Sequence, residues 1–163
     1  MDFDTTFDEH YPDLVRYCHK LTGDRDVAED MAQESLLRFF DHGVDGPSYG
    51  IRAWLFTTAT HLVRDRYRVD KNRRRLLEAN PIEPSGSDSP DRIMEREETQ
   101  ERVRRALDTL APRDREILLM RYSGFSYKEI ADAVDVASTS IGTLLARAES
   151  RFEQVMTEVG EAA

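Results

Sequence analysis

The segment IRAWLFTTATHLVRDRYRVDKNRRR, residues 51–75, carries Arg64, Arg68, Lys71 and Arg75 at steps of three and four. Side chains so spaced share one face of a helix, and a row of cations there suits a phosphate backbone. Tyr67 and His61 stand among them, and planar rings beside cations can stack on exposed bases. The chemistry on offer is capture of a nucleic-acid strand rather than the making of bonds. A merely solvated charged face is the competing reading. Against it, Arg73, Arg74 and Arg75 follow one another without an acid, and the preceding segment is strongly acidic.

Covalent and metal chemistry find no footing. Cys18 is the only cysteine, which excludes an internal disulfide and a cysteine-rich zinc site. His10, His19, His42 and His61 show no HExxH or comparable ligand spacing. No nucleophile with a base is apparent, so we expect neither an enzyme nor a cofactor. No run reaches the ~20 apolar residues of a membrane span. The opening MDFDTTFDEHY is acidic rather than signal-like. Together these lead us to expect a cytoplasmic protein with no membrane insertion.

The net charge of −9 is unevenly spread. Residues 1–49 hold 4 basic and 12 acidic side chains, whereas residues 50–78 hold 8 basic and 3 acidic ones. Residues 79–92 hold 1 and 3, and residues 93–163 hold 10 and 14. Electrostatic attraction is screened within roughly 8–10 Å in physiological salt, so the local block decides and the total does not exclude DNA.

The elements that must position these residues read as helices throughout, with 39% apolar and 34% charged residues in amphipathic order. A first helix is expected from Phe7 to Leu21, ending at Thr22-Gly23. Asp26 with Glu29 resembles a capping box for a second helix to about Phe40, burying Val27, Met31, Leu36, Leu37 and Phe40. Glu29, Asp30, Gln33 and Glu34 adjoin that apolar run; alone, this is an ordinary amphipathic helix. The turn-rich stretch DHGVDGPSYG, residues 41–50, reads as a loop before a third helix from about Ile51. The stretch NPIEPSGSDSPD, residues 80–91, has the composition of an interdomain linker. The expected organisation is all-α: a domain over residues 1–78, a flexible linker over 79–92 and a second domain over 93–163.

In the second domain a charged helix is expected from Arg92 to Leu110 and another from Pro112, proline being favoured in a first turn. Tyr127 to Val134 and Ser138 to about Glu158 then form a helix-turn-helix pattern, with Ser126 and Glu129 as a capping box. Ile117, Leu118, Met120 and Tyr122 can pack under Ile130, Ala131 and Val134. Val136 pins the turn, and Ile141 and Leu145 seat the last helix. Such a pair presents the start of its second helix to a major groove. A helical bundle that touches no DNA shares the same packing rules and stays open at this point.

In order and wording, LTGDRDVAEDMAQESLLRFF, IRAWLFTTATHLVRDRYR, the Pro/Ser linker and LAPRDREILLMRYSGFSYKEIADAV resemble the sigma-70 superfamily. The likeness is to the extracytoplasmic-function group, which keeps only the second and fourth conserved regions. It implies a helix at 26–40 that docks on the clamp helices of the largest subunit of core RNA polymerase, through Asp30, Gln33, Glu34, Leu37 and Phe40. It also implies a helix pair at 51–75 that opens the promoter −10 element. There Trp54 is structural, His61 to Arg64 lie at a loop holding a flipped base, and Arg66, Arg68 and Lys71 contact backbone.

The last helix of the family reads the −35 element and runs close to S-x-G-T-V-K-S-R-L-H-R-A. Here the aligned positions usually Lys, Arg and His are Gly142, Leu144 and Ala146, and His61 replaces a common Asn. What remains for −35 DNA is Ser138, Thr139, Ser140 and Thr143, with Arg147 and Arg151. Each good bidentate base contact contributes ~1–3 kcal/mol, so the expected −35 interaction is weak, unusual in sequence or dependent on another protein. The resemblance also implies an anti-sigma partner, and the flexible linker suggests that such a partner clamps the two domains together. Two other readings remain: a sigma-like decoy that sequesters an anti-sigma factor, and an ordinary helix-turn-helix regulator.

Overall fold

The computed structural model describes residues 2–43, 48–77 and 94–161. Among them are seven helices and no strand. They are α1 (Phe3–Thr22), α2 (Arg25–His42), α3 (Ser48–Leu77), α4 (Met94–Thr109), α5 (Pro112–Tyr122), α6 (Tyr127–Val134) and α7 (Ser138–Glu161). The expected linker and both domain boundaries beside it lie outside the described residues.

In the first domain α1 and α2 form a hairpin. Gly23 closes it at φ +70°, where its N–H donates to the His19 carbonyl at 2.7 Å. This left-handed geometry favours glycine, and a Cβ there would also meet the Arg104 guanidinium of α4 at 2.6–2.8 Å. The side chain of Asp24 caps α2 by accepting from the Val27 N–H at 3.2 Å. The expected cap at Asp26 is thus displaced by one that leaves Asp26 inside the first turn, and Glu29 pairs with Arg25 instead.

The buried stripe of α2 is Ala28, Ala32, Ser35, Leu36 and Phe39. Leu37, expected in the core, is 53% exposed, while Val27, Met31 and Phe40 are partly buried. Two alanines one turn apart let α1 approach closely, so the small-residue stripe turns inward. Under it lie Leu14, Tyr17, Cys18 and Leu21 of α1 and Ile51, Leu55, Phe56 and Ala59 of α3.

The second domain is built as expected around α5, α6 and α7. Ser126 accepts from the Glu129 N–H at 3.2 Å, and Glu129 accepts from the Ser126 N–H at 3.0 Å, closing the capping box. Asp135 ends α6 at φ +58°, a conformation that short polar side chains tolerate. Ile117, Leu118, Met120, Ile130, Ala131, Val134, Ile141, Leu145 and Ala148 are buried, and Val136 packs on their edge. Tyr122 departs from expectation: it is 76% exposed at the end of α5 rather than under α6.

The two domains pack on each other. Buried residues of both, from Leu14 to Ala148, form one apolar cluster.

Candidate nucleic-acid and polymerase interfaces

The basic helix α3 is continuous from Ser48 to Leu77, so His61 to Arg64 lie within a helix and not at a loop. Its register is fixed from beneath. Thr60, fully buried, donates to the Phe56 carbonyl at 2.7 Å, and Tyr17 of α1 donates its phenolic hydrogen to Thr60 Oγ1 at 2.7 Å. Burial pushes the Tyr17 phenol well above its ordinary range, so it remains a hydrogen-bond donor.

With Thr60 anchored inward, the neighbouring turn faces the second domain. His61 Nε2 lies 2.9 Å from the Ala133 carbonyl oxygen of α6, and since a carbonyl only accepts, this nitrogen carries the proton. Arg64 meets Glu116 of α5 side by side: its Nε donates to both carboxylate oxygens, at 2.8 and 3.0 Å, and its Nη2 donates to Oε2. Glu116 is 4% exposed, and its hydrogen bonds hold the Arg64 guanidinium above its ordinary range.

One helical segment earlier, Arg52 donates to the Ser123 carbonyl at 2.8 Å. Its guanidinium carbon lies 4.8 Å from the Phe56 ring centroid and 4.5 Å from that of Phe125. On the far side, Arg115 of α5 donates to the Leu21 carbonyl at 3.0 Å, joining α5 to the α1–α2 turn.

Arg66, Tyr67 and Arg68 are exposed beyond this contact, Tyr67 at 59%. Lys71 lies on the same helix, with its side chain outside the described residues. The expected strand-binding row is therefore divided by contact: Arg64, half-buried, and His61, exposed but bonded through Nε2, meet the second domain, and Arg66, Tyr67 and Arg68 lie exposed beyond them. Sequence reasoning missed the partners Arg52, Phe56, Glu116, Ser123 and Phe125. A signal existed for one of them: Arg52 is a lone charge inside the apolar run IRAWLF, and a charge held among apolar side chains needs a partner.

Asp30, Gln33 and Leu37 are exposed on one side of α2, with Glu34 and Phe40 partly buried beside them. Glu34 accepts from Arg38 at 3.0 Å, and Gln33 reaches the Tyr11 hydroxyl of α1 at 3.4 Å. Phe40 continues into an aromatic row: its ring lies 4.7 Å from Phe3, which stacks on Phe7, which stacks on Tyr11.

At the other end of the molecule, Ser138, Thr139, Ser140 and Thr143 are all exposed along the start of α7. Arg147 is less free, since its Nη2 donates to Asp114 of α5 at 3.1 Å. Of the three positions that depart from the usual pattern, Leu144 packs partly into the core and Ala146 is exposed. Gly142 faces the Tyr127 ring, 3.8 Å from where a Cβ would stand. Among the described residues no group of His, Cys, Asp and Glu could hold a metal, and no helix is long and apolar enough to cross a membrane.

Residues 6–74 match the Sigma-70 region 2 family and residues 100–152 the Sigma-70, region 4 family. The sigma factor EcfG of Rhodopseudomonas palustris is 34% identical over 139 residues, covering 83% of this chain and 73% of the relative. The sigma factor SigL of Mycobacterium tuberculosis is 29% identical over 159 residues, covering 94% and 88%. SigG of Mycobacterium tuberculosis is 29% identical over 182 residues, and there the chain spans only 48% of the relative's length. Among solved structures, the sigma factor RpoE of Bartonella quintana, in complex with the anti-sigma factor NepR, superposes with a TM-score of 0.68. It has 24% sequence identity, covers 96% of this chain and 97% of that one, and shares the fold. Two successive sigma-70 regions on one chain, with the identity to EcfG, establish that the chain belongs to the extracytoplasmic-function sigma factors of RNA polymerase.

Proposed function

We propose that this chain is a transcription initiation subunit that directs core RNA polymerase to promoters and acts there without covalent chemistry. The observation that carries this reading is the presence of regions 2 and 4, in order, on one chain. In it, Asp30, Gln33, Glu34, Leu37 and Phe40 of α2 dock on the clamp helices of the polymerase largest subunit. Leu37 supports the assignment as an exposed apolar side chain flanked by polar ones. Residues His61, Arg64, Arg66, Tyr67, Arg68 and Lys71 of α3 take up the −10 element, favouring melting by holding an unstacked base and the strand that follows. Ser138, Thr139, Ser140, Thr143 and Arg147 of α7 meet the −35 element. Their short hydroxyls at a helix start suit phosphate more than base edges, so this contact is weak or assisted.

The working place of such a subunit is the cytoplasm, and its regulator is an anti-sigma protein, as with the structural relative from Bartonella quintana. Run-off transcription with purified core polymerase and fragmented DNA of the source genome tests the reading. Discrete new start sites support it. Absence of both binding to core polymerase and new transcripts would refute it.

A further inference from the structure

We propose that α5 and α6 form an internal cover over α3, in which the Glu116 carboxylate occupies Arg64 as a DNA phosphate would. The proposal rests on the reading of His61 and Arg64 as strand contacts. A carboxylate and a phosphate offer a guanidinium the same paired acceptor geometry, so an acid held at this position competes for the same face of Arg64. The neighbouring strand contact is satisfied in the same way, His61 donating to the Ala133 carbonyl at 2.9 Å. Both partners come from the second domain, 52 and 72 residues away in sequence.

The cover is local. Tyr67 and Arg68 stay exposed, so the closed chain keeps part of its attraction for phosphate while Arg64 and the Nε2 of His61 are engaged. It is also reversible in its chemistry. Its polar contacts to α3 are one ion pair, two hydrogen bonds to carbonyls at His61 and Arg52, and a guanidinium between two rings, with one further hydrogen bond from Arg115 to the Leu21 carbonyl. Opening returns each charge to water, which offsets most of the attraction lost. Removing one partner alone, however, leaves the other unpaired in the closed state, so a single substitution at Glu116 favours opening.

The experiment uses the full chain with dyes at Lys20→Cys and Ser150→Cys, both exposed positions, Cys18 being fully buried and so left unlabelled. Interdomain distance is read by energy transfer, and affinity is read by anisotropy with random-sequence single-stranded DNA. Glu116→Gln removes the anion. Arg52→Ala breaks the cover at a separate point, so a folding defect in one variant does not decide the result. Both are expected to lengthen the mean distance and to tighten DNA binding by about tenfold, as when the competent fraction rises from about a tenth to near one.

Unchanged distance and affinity in two folded variants would overturn the cover. A longer distance without tighter binding would also overturn it as a barrier to DNA. Run-off transcription by Arg64→Ala separates this from failure of the underlying reading. Full activity would remove Arg64 from the strand contacts, and the cover with it. Lost activity beside inert Glu116→Gln and Arg52→Ala would leave the strand contact standing and refute the cover alone.

Discussion

The two helices read as facing a promoter, α3 and α7, are built in opposite ways. α3 carries long cationic side chains, and at its centre they are already engaged, Arg64 by Glu116 and His61 by the Ala133 carbonyl. α7 carries short hydroxyls that stand exposed, and the cation nearest them on that helix, Arg147, is held by Asp114. A long charged side chain can serve two states by exchanging one anion for another. A short hydroxyl on a helix surface has no such reach. The difference teaches that charge content alone says little about which face is ready for DNA; what matters is where each charge is already committed.

The strongest expected effect separates the inner from the outer face of α7. Ile141 is fully buried, so Ile141→Ala should cost about 2–5 kcal/mol in urea unfolding. Thr143→Ala on the exposed face should stay within about 0.5 kcal/mol. A large loss at Thr143 would mean that the outer face is structural.

The contrast between the helices themselves is sharpened by transcription. Arg64→Ala should reduce run-off product by about tenfold or more, since one tenfold step corresponds to ~1.4 kcal/mol and charge-assisted contacts reach that size. Thr139→Ala should reduce it less than about threefold, as a short neutral donor contributes little. The reverse order would transfer the main promoter contact to α7. A smaller effect is expected at the entry to the helix-turn-helix. Ser126→Ala removes the acceptor for the Glu129 N–H and should cost about 1 kcal/mol in thermal or urea unfolding.

The smallest effect is a pH dependence that arises in the first domain. His10 is 4% exposed, and its Nε2 has no hydrogen-bond partner. Burial lowers its pKa from the ordinary 6.5. Glu9 and Asp13 on its own helix oppose the shift, and Arg52 of α3 adds to it. The folded chain therefore binds the proton more weakly than the unfolded one. The stability contribution is fully present above pH 6.5 and is lost as pH falls from there through the lowered value. Urea midpoints measured between about pH 7 and 5.5 should decline with acidity, and His10→Gln should flatten the decline. An identical slope in that variant would place the titration elsewhere.

Local signals were legible in the sequence at the helix-turn-helix but not at α2, where Asp24 rather than Asp26 is the cap. The helix Tyr127–Val134 has the expected bounds, because Ser126 and Glu129 mark its start within four residues. The phase of α2 was not legible. Val27 and Met31 offer one apolar stripe, and Ala28, Ala32, Leu36 and Phe39 another; the choice falls to the second because α1 needs small residues in order to approach. Tyr122 looked like core by spacing, but α5 ends there and its ring points beyond the bundle. The cover over α3 was harder still. Arg64 and Glu116 each look like an ordinary solvated charge in their own segment, and only the tertiary fold joins them. For the same reason the helix pair expected at residues 51–75 is one unbroken helix, its turn near His61 held helical by Thr60 below and by α6 above.

The shared apolar cluster, in which Phe56 of α3 meets Phe125 at 4.9 Å, has a thermodynamic consequence. Two tethered domains with separate cores would melt in two steps, each with a modest enthalpy. Joined through one core, they are coupled to the extent that the closed state is populated, and the two transitions draw together in temperature. Any partner that prises the domains apart divides that cooperative unit. The less stable half would then unfold at a lower temperature of its own, so heat capacity registers separation of the domains even when helix content does not change.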